Sequence, residues 1–186
     1  MDTNTVIIII VALAVVAVAA YVLLKRQRTS KLRDRFGPEY ERAIEETGGR
    51  SKAETALHDR EKRVEAFAIT PLRAGERARY GASWRKVQGE FVDDPKAAVT
   101  HADELLAEVM SARGYPVGDF EQKSADLSVD HPVVVQNYRA AHEIAERHAR
   151  GDASTEDLRQ AMIHYRALFD DLVSEPDAAV SAKKAS

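Results

Sequence analysis

The stretch His142-Glu-Ile-Ala-Glu-Arg-His148 is where the sequence comes closest to chemistry. Zinc-protease helices place two histidines four residues apart, so that both rings reach one ion beside a glutamate base. Here the spacing is six. At about 100° per residue that leaves the two rings roughly 120° apart around the helix. A metal held by His142, His148 and His164 would therefore need two helices to converge, and hydrogen-bonded histidines on packing faces are the simpler reading. Asp130-His131-Pro132 sets a carboxylate beside a histidine, an arrangement that can orient a base. No nucleophile accompanies it, and Asp130 reads more simply as a helix cap. Trp84 could serve as a ligand platform, but its helical spacing with other apolar residues points to core packing. There is no glycine-rich phosphate loop, G-x-S-x-G elbow or EF-hand loop. With no cysteine, disulfides, thiolate zinc sites and cysteine nucleophiles are excluded. The sequence assigns no catalytic, cofactor-binding or metal-ligating residue, and implies no cofactor.

The elements that would position such residues read as helices throughout. Of 186 residues 45% are hydrophobic and only 6% aromatic, with abundant alanine, a composition that favours helices over sheets. The most distinctive segment is the first. Val6–Leu24 carries no charge and no strongly polar side chain, and as a helix it would measure roughly 28 Å, close to a bilayer's hydrocarbon core. A cleaved signal peptide is the rival, since Ala17-Val18-Ala19 has the small-x-small pattern. Its leader, however, lacks a basic region and its apolar run is too long. The segment is read as an uncleaved transmembrane helix in contact with lipid.

A basic collar follows. Residues 25–35, KRQRTSKLRDR, hold six cations against Asp34, a net +5. Cations beside a span are retained on the cytoplasmic side, which predicts the N-terminus outside and the rest of the chain inside a bacterial plasma membrane. Lys25, Arg26 and Arg28 could also touch anionic lipid. Residues 36–186 carry a net charge of −7, with no second basic cluster to suit a nucleic acid.

Beyond the collar the pattern predicts a bundle of about five to six antiparallel helices over residues 38–173, with a frayed tail at 174–186. Pro38 opens a short helix ending near Gly48-Gly49. Ser51 and Glu54 have capping-box spacing and open a heavily charged helix that reads as a solvated arm or a partner-binding helix rather than a core element. Tyr80, Trp84, Val87 and Phe91 form one apolar stripe. Asp94-Pro95 starts a helix whose face holds Ala98, Ala102, Leu105 and Val109 and which stops at Gly114. Residues 115–130 read as a connector with one helical turn after Asp119. Pro132 opens a helix carrying Val134, Tyr138, Ala141 and Ala145. Ser154 caps the last, with Leu158, Met162, Tyr165, Phe169 and Leu172 on its buried side.

The segment HPVVVQNYRAAHEIAERHARGDASTEDLRQAMIHYRALFDDLV, together with GYPVGDFEQ and FGPEYERAI, resembles an uncharacterised family of small bacterial proteins with one N-terminal span and a helical domain. The resemblance implies no activity and no functional residue. The expected function is that of a protein-binding adaptor or scaffold at the inner membrane, with an unknown protein partner. The alternatives are an exported helical protein, secreted or tethered to the envelope, and, last, an enzyme with a site between helices.

Overall fold

The computed structural model describes residues 12–116 and 118–174 in full and residues 3–11 as backbone. The described residues form eight helices and no strand, so the all-α expectation holds. In order they are α1 (Thr3–Phe36), α2 (Pro38–Thr47), α3 (Arg50–Glu65), α4 (Ala74–Glu90), α5 (Pro95–Arg113), α6 (Phe120–Asp130), α7 (Val135–Ala149) and α8 (Thr155–Ser174). Seven helices follow the first, one more than the largest count expected. Of the expected tail 174–186, Ser174 is instead the last residue of α8, and 175–186 lies outside the described residues.

The chain divides into two compact units, residues 1–57 and 58–186, with the boundary inside α3. In the first unit α1 packs on α2. Pro38 sits in the first turn of α2, where its missing N–H costs nothing, and Gly48 ends the helix in the left-handed conformation. The expected capping box of α3 is absent. α3 begins at Arg50, so Ser51 lies inside the helix rather than at its N-cap, and Glu54 turns elsewhere: its Oε1 accepts the Thr29 hydroxyl of α1 at 2.8 Å and the Tyr40 hydroxyl of α2 at 2.9 Å. Burial, then this carboxylate, raises the Tyr40 pKa above its ordinary value.

Nor is α3 a solvated arm. Ala53, Leu57 and Val64 are buried along one side. Within the second unit, Arg63 holds the buried Asp126 of α6 through Nε at 2.8 Å and Nη2 at 2.6 Å.

In the second unit α8 is the hub, packing on α4, α5 and α7, while α6 packs on α7. The predicted stripes supply this core: Tyr80, Trp84 and Val87 from α4, Ala102, Leu105 and Val109 from α5, and Leu158, Met162, Tyr165, Phe169 and Leu172 from α8. Phe91, Val134 and Ala145 pack against it partly buried. Asp94 caps α5 by accepting from the N–H groups of Lys96 and Ala97. Ser154 and Asp157 exchange bonds at the start of α8, as their spacing requires. The expected connector is instead the 11-residue helix α6, capped by Asp119. Its buried face includes Ser124, Asp126 and Ser128, so hydrophobic periodicity cannot reveal it. α7 begins at Val135 rather than at Pro132.

Along α1, among the described residues, no helix is long and apolar enough to cross a membrane. The apolar stretch whose side chains are described, Ala12–Leu24, measures about 20 Å. The side chains of Val6–Val11, the first part of the expected span, lie outside the described residues.

Candidate functional site

Two places carry enough unusual chemistry to consider: the His131–Asp171 pair in the second unit, and the surface of α1 with its collar in the first.

His131 is the residue after α6, with its backbone N–H bonded to Leu127 O. Its ring is buried, and Nδ1 pairs with Oδ2 of Asp171 on α8. Asp130, its expected neighbour in function, is simply the last residue of α6. The Tyr115 ring lies 6.3 Å from the imidazole, and buried Arg113 donates from Nη1 to Leu172 O, 3.1 Å away, near the end of α8. A carboxylate bonded to one imidazole nitrogen is how a general base is oriented. Here, however, the other nitrogen, Nε2, is sealed from solvent and makes no hydrogen bond among the described residues. A base must be within reach of the proton it takes. The pair ties the end of α6 to α8.

The remaining histidines do not converge. His142 stacks on Phe120, 3.6 Å between ring centroids and 9° between planes. His164 Nδ1 meets Asn137 Oδ1 at 2.8 Å. His148 has its Nδ1 buried without a hydrogen bond among the described residues. No group of three or more metal-ligand side chains could hold an ion among the described residues. Trp84 is a core residue, stacked on Phe169.

A pair of buried tyrosines is another feature the sequence does not announce. Tyr138 and Tyr165 lie 6.3 Å apart between ring centroids, and their pKa values are raised first by burial and then by the Asp103 carboxylate. Both tyrosines sit in predicted apolar stripes, and nothing in the spacing of Asp103 announces its influence on them.

Two open concavities lie on the surface of the described residues. One of about 650 Å³ runs beside Tyr80, Glu104 and Ser111, and one of about 170 Å³ beside Phe91, Met162 and Ile163. Arg159 and Arg166 edge the smaller one but are engaged by Glu156 and Asp170.

α1 is different in kind. From Ala12 to Leu24 every described side chain is exposed, Leu13 at 64% and Leu24 at 58%. The apolar surface runs all the way round the helix, and the chain's own core lies elsewhere. Soluble proteins rarely expose contiguous apolar patches beyond a few hundred Å². The helix then continues without a break into the collar, where Lys25, Arg26, Arg28 and Lys31 are exposed and, among the described residues, have no hydrogen bond or ion pair.

No protein-family model, curated protein or solved structure matches the chain. The resemblance in the sequence accordingly brings no site residue with it.

Proposed function

We propose that the chain is a single-pass membrane-anchored helical protein, an adaptor that holds its bundle at the cytoplasmic face of a bacterial plasma membrane. Val6–Leu24 is the anchor and residues 25–186 stay inside. The observation that carries this reading is the exposed apolar surface of Ala12–Leu24, continuous on all sides of α1. In water such a surface is unfavourable by about 25 cal/mol per Å², whereas in hydrocarbon it is at home. A helix is also one of the two structures whose backbone polar groups are satisfied inside a bilayer. The six residues Val6–Val11 extend the apolar run to a length that matches the hydrocarbon core.

Binding rather than catalysis is favoured because the best-oriented imidazole, His131, has its outer nitrogen sealed. Alkaline carbonate extraction tests the anchor. The full chain is expected to stay with the membrane pellet, and a variant lacking residues 1–24 to leave it. Release of the full chain by carbonate would overturn the reading.

A further inference from the structure

We propose that Lys25, Arg26, Arg28 and Lys31 form a binding site for the phosphate groups of anionic phospholipids, a role that rests on the anchor reading of α1. The six cations of the collar are not equivalent. Arg33 is engaged by α2: its Nη2 donates to Glu41 at 2.8 Å and its guanidinium lies 5.2 Å from the Tyr40 ring centre. Arg35 is engaged as well. The four cations nearest the apolar stretch have no partner among the described residues, and the one carboxylate of the collar, Asp34, takes the Ser30 hydroxyl.

Their spacing makes an external anion valuable. Lys25 and Arg28, and Arg28 and Lys31, stand three residues apart, a separation at which like charges on a helix repel. Among the described residues no carboxylate pairs with them, although acidic residues outnumber basic ones over the chain. At about 100° per residue the four side chains point around the helix rather than to one side. A helix lying flat on a surface would gather its cations on one face. One that stands upright meets headgroups in every direction.

The depth is also right. From Lys25 to Lys31 the helix rises about 9 Å, comparable with the headgroup layer, roughly 5–8 Å on each side of the hydrocarbon core. Tyr21, exposed at 66%, comes one turn before Lys25, where an aromatic ring sits at a membrane–water boundary. A cation near an anionic leaflet gains an amount equivalent to about fivefold in association.

The test uses the full chain reconstituted in phosphatidylcholine vesicles, with trace spin-labelled phosphatidylglycerol or spin-labelled phosphatidylcholine. The fraction of motionally restricted label measures how the protein selects between the two lipids. The wild-type chain is expected to favour the anionic lipid at least about fivefold, one cation's worth. That preference should shrink at high salt. The variant K25Q/R26Q/R28Q/K31Q should lose it, R33Q should keep it, and R26K/R28K should keep most of it. Equal selection by wild type and the fourfold variant, with both retained in the vesicles after a carbonate wash, would overturn the lipid site and leave the anchor standing. Failure of the wild-type chain to remain in the vesicles would overturn the anchor and the site together.

Discussion

The Trp84 indole lies flat against the Phe169 ring, with 4.7 Å between centroids and 15° between planes. This contact joins α4 to α8, the hub of the second unit. Trp84 is 4% exposed, so its truncation removes both the buried ring and its stacking partner's cover. Trp84→Ala is expected to destabilise the unit by about 3–5 kcal/mol. Because the indole Nε1 is buried without an acceptor among the described residues, Trp84→Phe removes an unsatisfied donor and should cost much less. Thermal melts of the detergent-solubilised chain, followed by circular dichroism, decide. Equal melting of wild type and Trp84→Ala would contradict the core assignment.

Arg63 and Asp126 make a second test, because they differ in exposure. The Asp126 side chain is 2% exposed and the Arg63 side chain 40%. Removing the arginine leaves a buried carboxylate whose remaining hydrogen bond among the described residues is from Gln122 Nε2 at 3.0 Å. Arg63→Ala should cost about 3 kcal/mol or more. Adding Asp126→Asn to it should recover part of the loss, since the uncompensated charge is gone. A double mutant less stable than Arg63→Ala would show that the pair's charge is not what matters.

Two glycines should respond in opposite directions to alanine. Gly114 ends α5 at φ +98°, and a Cβ there would lie 2.5 Å from Ala68 O. Gly114→Ala meets both an unfavourable backbone angle and a clash with main chain, so a loss above about 1 kcal/mol is expected. Gly81 is inside α4, where a Cβ finds only ordinary contact with Arg85 at 3.7 Å. Gly81→Ala should raise stability by about 0.5–1 kcal/mol. The sign of each change, read from denaturation midpoints, is the check.

Acid should loosen the start of α8. Bonds from Arg159, then Gln160, lower the Glu156 pKa to about 2, and bonds from Ser154 lower that of Asp157. A carboxylate whose folded pKa is depressed adds stability above its unfolded pKa near 4, and that stability disappears as pH falls through the folded value. The melting temperature should therefore fall between about pH 4 and pH 2, and fall less steeply in Glu156→Gln. Identical pH profiles for wild type and Glu156→Gln would rule out the contribution.

Much of the fold was legible because its signals are local. Asp94-Pro95 and Ser154 through Asp157 cap the helices they were expected to cap, and the apolar stripes of α4, α5 and α8 face the core. The missed features all depend on distant partners. α6 buries Ser124, Asp126 and Ser128, which look solvent-facing until Arg60 and Arg63 of α3 arrive to bond Ser128 and Asp126. Glu54 has capping spacing from Ser51 but is taken by hydroxyls 25 and 14 residues earlier. His131 finds its carboxylate 40 residues later, at Asp171, not next door at Asp130. The collar's charge was plain in the sequence. That Arg33 is taken by Glu41 and Tyr40, while the first four cations have no partner among the described residues, required α2 in place.

We propose that α1 crosses a membrane once, with α2 to α8 on the cytoplasmic side. Thiol accessibility measures it directly, because the chain has no cysteine and any introduced thiol is the only one. Asp2→Cys should react in cells with a permeabilised outer layer, using a reagent that cannot cross the inner membrane. Ser186→Cys should react only after lysis. Labelling of Ser186→Cys before lysis would place the helical units outside and contradict the account, in favour of an exported protein.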